Sequence, residues 1–276
     1  MTAKIDTKNI ITWCPGCTNF MILAAVKKVF SKLIAEGLKQ QEIAIVTGIG
    51  CHAKMFDALN VSAIYGLHGR VLPASLGLKL GNPNLTVIGF AGDGDTYAEG
   101  MEHFIHAARH NADFTLVVHN NQTFSLTTGQ ATPTSQLGFK TKSEPLGEFE
   151  EPINPIKLAL ASGASFVARC NARDIEHTAY VLEKAIKHKG FSFIDVLQEC
   201  IIFNPYKNIN ERMYKIENTD NLAEAMKLAD EWDYNRKTGK IPIGIFFQKE
   251  KADLEDKWPQ LKELKNKKIG WKDLKK

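Results

Sequence analysis

Several features that define specialised classes of protein are scarce or absent in this chain of 276 residues. No apolar run approaches the roughly 18 residues that a transmembrane helix needs, and the N-terminal segment lacks the apolar core of a secretory signal. Five cysteines are too few for a disulfide scaffold. Lysine and arginine (35) exceed aspartate and glutamate (31) by only four, too little for a dedicated nucleic-acid-binding protein. These absences predict a cytoplasmic protein that binds neither membranes nor nucleic acid.

The chain does have enough apolar sequence for a large folded core, because 44% of its residues are hydrophobic and 24% are charged. Short, nearly all-apolar segments typical of strands buried on both faces occur at Glu42–Gly48, Leu85–Ala91, Asp113–His119, Ala164–Arg169 and Ser192–Leu197. Segments with helical periodicity lie between or before them, at Cys17–Glu36, Ala98–His110 and Arg173–Lys189. This alternation predicts an α/β fold with a doubly wound, mostly parallel sheet.

Two later segments depart from this pattern. Residues 127–155 are rich in glycine, proline, serine and threonine and have no periodicity, so they predict a long loop of the kind that usually carries function. From residue 206 onwards lysine and glutamate dominate, with a few apolar anchors such as Trp232 and Phe246. We therefore predict one domain over residues 1–205 that carries the chemistry. Residues 206–276 are expected to form a helical C-terminal extension that contacts a partner.

Four of the five cysteines occupy positions suited to a shared site. Cys14 and Cys17 form a C-x-x-C pair in WCPGC, while Cys51 and Cys200 directly follow the first and last predicted strands. Four thiolates suit an iron–sulfur cluster or tetrahedral zinc. A surface turn with three buried apolar thiols, or thioredoxin-like chemistry of the C-x-x-C pair, would also fit. Cys170 lies in a different context, at the end of another strand.

A second candidate site follows the strand Leu85–Ala91, where the chain reads Gly-Asp-Gly-Asp. Asp93 projects from the carboxyl end of this strand, and Asn121 follows 28 positions later, about the span of one strand–helix–strand unit. Adjacent parallel strands would place the two side chains next to each other. A carboxylate, an amide oxygen and a nearby carbonyl are hard ligands that suit Mg²⁺ and a phosphate group.

Two other patterns could bind ligands, but each lacks a necessary part. The stretch from Gly48 to Ala53 matches the glycine-rich fingerprint of dinucleotide-binding proteins, but no acidic residue follows about 20 positions later. His103, His106 and His110 share one helix face without the spacing of a zinc-binding helix. We expect these histidines to pack in a core or an interface.

Taken together, these stretches resemble a known family. WCPGC, GIGC, GLHGRVLPASLGLKLGNP, GDGD, HNNQTFSLTTGQATPTS and ECIIFN occur in the order found in β subunits of 2-oxoacid:ferredoxin oxidoreductases. The resemblance is closest to the 2-oxoglutarate and broad 2-oxoacid branch and covers residues from about 10 to 205. The G-D-G and N-N pair is common to thiamine diphosphate enzymes, whereas the cysteines narrow the resemblance to this family.

The resemblance implies specific metal ligands. Cys14, Cys17, Cys51 and Cys200 would hold one 4Fe–4S cluster, and Cys170 would be structural. Mg²⁺ would be bound by the side chains of Asp93 and Asn121 and by the carbonyl of Thr123.

The resemblance also implies residues that contact thiamine diphosphate. His68 would lie near the diphosphate or the thiazolium, and Leu126 would be the apolar support that keeps the cofactor bent. The remaining residues expected to line the cofactor are Gly48, Gly50, Gly92, Asp93, Gly94 and Asp95.

The activity implied is oxidative decarboxylation of 2-oxoglutarate or a pyruvate-like 2-oxo acid with coenzyme A, yielding acyl-CoA and CO₂. Electrons would pass through the cluster to ferredoxin. A glutamate that activates the cofactor would come from a partner α subunit, so the chain alone is predicted to be inactive. One departure concerns the substrate, because Thr128 stands where some relatives have a lysine. Two alternatives remain: a thiamine diphosphate-dependent decarboxylase subunit without redox chemistry, and a zinc-stabilised binding module.

Overall fold

A computed structural model describes residues 5–205 and 209–274, and its centre is one eight-stranded sheet. The strands are β1 (Ile43–Thr47), β2 (Ser62–Tyr65), β3 (Thr86–Gly92), β4 (Thr115–Asn120), β5 (Phe166–Asn171), β6 (Ser192–Leu197), β7 (Met213–Lys215) and β8 (Ile241–Gln248). Their order is β2-β1-β3-β4-β6-β5-β8-β7. Every neighbouring pair is parallel except β5 and β8, which are antiparallel. The predicted mostly parallel sheet is confirmed.

Helices cover both faces of this sheet. They are α1 (Asn19–Ala35), α2 (Met55–Ala58), α3 (Val71–Gly81), α4 (Asp93–Tyr97), α5 (Met101–His110), α6 (Pro155–Ala161), α7 (Ile175–Lys187), α8 (Leu222–Asp230), α9 (Leu254–Lys257) and α10 (Pro259–Lys267). Side chains alternate between the faces: Ile43 and Ile45 pack with α1 and α7, whereas Ala44 and Val46 pack with α3 and α5. Because strands β1 and β3 to β6 are buried on both sides, their sequences are apolar runs and not alternating patterns.

Local sequence signals mark where the predicted helices begin and end in the structure. Asn111 adopts a left-handed backbone (φ 55°) and terminates α5, as its small polar side chain permits. Asp174 caps α7 by accepting a hydrogen bond from the backbone N–H of His177. Residues 127–154 contain no helix or longer strand in the described structure, which agrees with the long loop predicted there.

The C-terminal extension differs from its prediction. Helices α8, α9 and α10 are present as expected, but the extension also contributes strands β7 and β8. The expectation of an extension made only of helices is therefore corrected. Strand β8 is buried and pairs with β5, because its run of isoleucine and phenylalanine suits a sheet better than the scattered anchors assumed from the sequence. The domain boundary at residue 205 stays a prediction.

No helix within the described ranges is both long and apolar enough to cross a lipid bilayer.

Candidate functional site

The loops that follow β1, β3 and β4 enclose a cleft of about 500 Å³ at the carboxyl edge of the sheet, which we call the carboxylate cleft. Open α/β sheets bind ligands at this edge. Nine of the residues predicted to contact thiamine diphosphate or Mg²⁺ line it: Gly50, His68, Gly92, Asp93, Gly94, Asp95, Asn121, Thr123 and Leu126. Gly48 lies behind the cleft, where a Cβ atom would collide with the carboxyl of Asp95. The structure thus brings these residues together.

Asp93 and Asn121 are neighbours, as the spacing along the chain predicts. The buried carboxyl of Asp93 accepts hydrogen bonds from the backbone N–H of Asn121 and from the hydroxyls of Thr132 (2.5 Å) and Thr134 (2.9 Å). Burial raises the pKa of Asp93 to about 6, because these donors offset only part of the cost of desolvation. A buried carboxylate at the end of a strand is therefore positioned to bind a cation.

The side chain of Asn121 is held in one orientation. Its Nδ2 donates to Gln198 Oε1 (2.9 Å) and Ser125 Oγ (3.1 Å), and its Oδ1 accepts from the backbone N–H of Thr123 (3.1 Å). The amide nitrogen has two acceptors, so the oxygen is directed away from them and keeps a free lone pair. The pair therefore presents a carboxylate and an amide oxygen at one point of the cleft.

A second carboxylate, Asp95, lies between two histidines. Its Oδ2 is 3.3 Å from His52 Nε2, and its Oδ1 is 3.2 Å from His68 Nδ1 and accepts from the N–H of Gly69 (2.6 Å). Burial alone would raise the pKa of Asp95, but the two histidines and this N–H hold it well below its usual range. The hydrogen bond to Asp95 raises the pKa of His68, to which Glu99 also contributes. Asp95 thus favours the positively charged form of His68 at the edge of the cleft.

All four predicted site cysteines line a second cavity of about 660 Å³, which we call the thiol pocket: Cys14, Cys17, Cys51 and Cys200. Burial, with smaller contributions from the other three thiols, raises the pKa of Cys17 to about 11. The four cysteines, which are far apart in the sequence, thus line one cavity in the structure, as their positions in the sequence suggested. Within the described part of the chain, no three histidine, cysteine, aspartate or glutamate side chains are grouped to bind a single metal ion.

Polar groups surround these sulfurs. Ser125 Oγ donates to the sulfur of Cys51 (3.3 Å), Gln198 Nε2 to that of Cys17 (3.8 Å) and the backbone N–H of Phe203 to that of Cys200 (3.5 Å). Such donors stabilise thiolates. Cys170 is apart from the thiol pocket, fully buried in β5, where burial raises its pKa.

The carboxylate cleft and the thiol pocket share one wall. Five residues line both cavities: Cys51, Asn121, Ser125, Leu126 and Thr127. A ligand in one cavity would therefore lie a side chain's width from a ligand in the other.

Several residues of this site were not identified from the sequence. His52 and His119 both line the carboxylate cleft, with ring centroids 6.1 Å apart. Their positions at strand ends, His52 directly after Cys51, were available as a signal. Ser125 and Gln198 gave no sequence signal, because their role depends on contacts between distant segments.

The competing patterns have no comparable geometry. The glycine-rich stretch at Gly48 leads into two short helical turns, Cys51–Lys54 and Met55–Ala58, and not into the longer helix of a dinucleotide-binding unit. His106 and His110 lie on the outer face of α5 with rings 5.8 Å apart. His106 is exposed and His103 and His110 are half-buried, so none of the three is a core residue, and an interface remains a prediction.

Comparison with known proteins identifies the family. Residues 48–196 match the thiamine pyrophosphate enzyme family, C-terminal TPP binding domain, and residues 200–263 match the C-terminal family of the pyruvate ferredoxin oxidoreductase beta subunit.

Individual proteins agree with this match. A 2-oxoacid:ferredoxin oxidoreductase subunit beta of Saccharolobus solfataricus is 42% identical, over 86% of this chain and 82% of its own length. The 2-oxoglutarate synthase subunit KorB of Archaeoglobus fulgidus is 40% identical over 68% of this chain and 69% of its own. A solved 2-oxoglutarate:ferredoxin oxidoreductase from Magnetococcus marinus superimposes with a TM-score of 0.88 at 29% identity, covering 97% of this chain and 90% of that one. The fold of this chain, its match to the thiamine pyrophosphate-binding family and its similarity to these relatives show one result. The chain belongs to the β-subunit family of 2-oxoacid:ferredoxin oxidoreductases.

Proposed function

We propose that this chain is the β subunit of an enzyme that oxidatively decarboxylates 2-oxoglutarate or a pyruvate-like 2-oxo acid with coenzyme A and passes the electrons through a 4Fe–4S cluster to ferredoxin. One observation supports the redox part most directly: the thiol pocket and the carboxylate cleft share a wall. The Magnetococcus marinus structure is described with 2-oxoglutarate, coenzyme A and succinyl-CoA bound, which supports the same class of substrates here.

The donor set of the carboxylate cleft fits Mg²⁺ and a diphosphate. Asp93 and Asn121 would bind the ion through side-chain oxygens and Thr123 through its carbonyl, all hard oxygen ligands. The ion would neutralise a carboxylate whose hydrogen-bond partners, among the described residues, are hydroxyl and N–H groups. His68, whose pKa Asp95 raises, would lie on the same side as the negative phosphates.

Bound thiamine diphosphate supplies a stabilised carbanion at which a 2-oxo acid loses CO₂. The chain contributes shape and polarity around it. Leu126, on the shared wall, is 45% exposed and would be covered by the cofactor as its apolar support. Gly92 and Gly94 line the cleft without side chains. A Cβ atom at Gly94 would collide with the ring of Phe124. Gly50, at the neck of the cleft, has a left-handed backbone (φ 149°) that favours glycine.

The thiol pocket fits a 4Fe–4S cluster by number and kind of donors, four cysteine sulfurs. Hydrogen bonds to the sulfurs from Ser125, Gln198 and the N–H of Phe203 would stabilise the thiolates and raise the reduction potential. Because the shared wall is thin, an electron leaving the carboxylate cleft would have a short path to this pocket.

A β subunit implies an α partner, and we propose that the partner completes the active site. The described residues lining the carboxylate cleft offer no glutamate to activate the cofactor. The isolated chain is therefore expected to be inactive. Thr128 lacks the positive charge that some relatives carry, so selection of the 2-oxo acid is expected to depend on groups from the partner.

Anaerobic co-purification of the α and β subunits tests this function. The wild-type complex should be brown, contain about four irons and acid-labile sulfides per β subunit, and oxidise 2-oxo acids with coenzyme A. Cys51→Ser and Cys200→Ser should lose iron, visible absorbance and activity together. Cys170→Ala, a buried cysteine outside the thiol pocket, should keep all three.

The same measurements discriminate the alternatives. A colourless complex with one zinc per chain would contradict the cluster, and decarboxylation that continues in Cys51→Ser without electron transfer would indicate the non-redox chemistry. Family membership fits neither alternative.

A further inference from the structure

Gln122 lies between Asn121 and Thr123, the residues proposed to hold Mg²⁺, and its side chain is completely buried. Its backbone is left-handed (φ 56°), which is uncommon for a residue other than glycine. A buried amide must find hydrogen-bond partners within the protein. What Gln122 binds therefore bears on how the metal loop is held.

The amide of Gln122 joins two other segments of the chain. Its Nε2 donates to the carbonyls of Thr134 (2.5 Å) and Tyr234 (2.8 Å), and its Oε1 accepts from Arg236 Nε (2.9 Å). Thr134 is one of the residues whose hydroxyl contacts Asp93. Tyr234 and Arg236 belong to the C-terminal extension. Gln122 thus connects both sides of the proposed metal site to a segment more than 100 positions away in sequence.

Tyr234 is itself fixed by a buried network. It also has a left-handed backbone (φ 68°). Its hydroxyl donates to Asp195 Oδ2 (2.6 Å) and accepts from Arg169 Nη2 (2.8 Å). The guanidinium of Arg169 lies 4.8 Å from the centre of the Tyr234 ring and 5.1 Å from that of Trp232, a cation–π arrangement. The residue whose carbonyl accepts the hydrogen bond from Gln122 is therefore fixed by buried contacts of its own side chain.

Two residues with left-handed backbones thus meet through one hydrogen bond, at the proposed metal loop. Strained backbone of this kind persists where the surroundings fix it, and it is frequent at functional sites. We propose that Gln122, Tyr234 and Arg236, the loop clamp, let the C-terminal extension position Asn121 and Thr123 for Mg²⁺. Gln122 is a positioning residue that Arg236 holds in place. The inference rests on the proposed magnesium site.

The αβ complex, stripped of Mg²⁺ and thiamine diphosphate with a chelator, provides the test. Equilibrium dialysis measures thiamine diphosphate binding as Mg²⁺ is added. Arg236→Met should raise the Mg²⁺ concentration for half-maximal binding about 10–100-fold, the usual effect of losing a group that supports a metal ligand. Saturating Mg²⁺ should restore both binding and turnover, which a merely unfolded protein would not do.

Lys215→Met is the matched control. Lys215 also belongs to the extension, but its ammonium pairs with Asp174 Oδ2 (3.0 Å) and not with a residue of the loop clamp. It should leave the Mg²⁺ requirement within about twofold of wild type. An equal shift in Lys215→Met and Arg236→Met would mean general loosening of the extension and would overturn the clamp.

A double-variant cycle tests whether Arg236 acts through Gln122. Gln122→Met with Arg236→Met should need no more Mg²⁺ than Gln122→Met alone, whereas additive effects would overturn the coupling. Should Arg236→Met fail to assemble, Arg236→Lys keeps one donor and should give a smaller shift in the same direction; no shift would contradict the proposal.

Asp93→Asn separates the two levels of the argument. If it leaves the Mg²⁺ dependence unchanged, the proposed metal site is wrong and the clamp falls with it. If Asp93→Asn abolishes the dependence while Arg236→Met matches wild type, only the clamp is wrong.

Discussion

Buried charges gather at both ends of the central sheet, and the two groups are neutralised in different ways. At the amino end, Lys79 is almost fully buried and donates to the carbonyls of Pro83 (2.9 Å) and Leu85 (3.0 Å) and to Asp113 Oδ2 (3.2 Å). Lys265, from α10, approaches the same carboxylate at 3.5 Å. This group is satisfied by the chain itself.

At the carboxyl end, Asp93 is as deeply buried but is met by neutral donors. The contrast shows in two pKa values. Burial would raise the pKa of Asp113, yet Lys79 and Lys265 bring it below the usual range, whereas burial prevails for Asp93 and raises its pKa to about 6. Because an unneutralised buried carboxylate is costly, the first group is structural, whereas the second supports the proposed magnesium site.

The largest effect is expected at the amino end of the sheet, where a variant removes one partner of the Lys79–Asp113 pair. Lys79→Met leaves Asp113 without its closest cation and should lower the free energy of unfolding by about 3 kcal/mol, the lower end for a broken buried pair because Lys265 remains beside Asp113, measured by denaturant titration of the αβ complex. Lys28→Met, which removes an exposed ion pair with Glu176, should cost about 0–1 kcal/mol. Equal losses in both variants would contradict the difference drawn between buried and surface pairs.

The two aspartates should give opposite pH dependence in the metal-free complex. The folded pKa of Asp113 is lowered, so its contribution to stability is present above about pH 4 and is lost as the pH falls further. The folded pKa of Asp93 is raised, so stability falls as the pH rises from about 4 through about 6. For Asp93, whose pKa rises from its usual value to about 6, the effect should amount to about 3 kcal/mol.

Single variants test which aspartate causes each part of the pH dependence of stability. Asp113→Asn should flatten the stability profile below pH 4, and Asp93→Asn should flatten it between pH 4 and 6, with unfolding followed by circular dichroism. A profile that Asp93→Asn leaves unchanged in that window would show that Asp93 is not an unneutralised charge.

The smallest effect is expected at the carboxyl end of the sheet, where a variant tests whether the charge of His68 contributes to cofactor binding. Its pKa is raised by the hydrogen bond to Asp95, so its positive charge should persist above its usual titration range and fade as the pH rises further. His68→Gln should weaken thiamine diphosphate binding about tenfold, or about 1.4 kcal/mol, at saturating Mg²⁺ and pH 6. The deficit should shrink as the pH rises above the usual histidine range and wild type also loses the charge; a constant deficit would rule out an electrostatic role.

The sequence predicted the parts that depend on local pattern and on the order of strands. The 28-residue interval from Asp93 to Asn121 predicted their proximity, because β3 and β4 are parallel neighbours joined by a helical connection. Cys51 and Cys200 could be assigned to one edge of the sheet because each follows a strand.

Elements without a local signal were missed. Strand β2 is a partly exposed edge strand, so Ser62–Tyr65 has no continuous apolar run to mark it. Strand β8 contains Pro242 and Gly244, residues that argue against a strand, and its pairing with β5 and β7 stabilises it there. The contacts of Gln122 and Gln198 join segments far apart in sequence, and no pattern in one chain encodes them.

Strand β8 has a consequence for the handling of this protein. It is antiparallel to β5 and occupies the hydrogen-bonding edge that β5 would otherwise present to solvent. A chain shortened before Ile241 would expose a bare, apolar strand edge, which is a template for intermolecular pairing. Such truncated chains should aggregate even though the cysteines and Asp93 are intact, so the C-terminal segment protects solubility as well as the site.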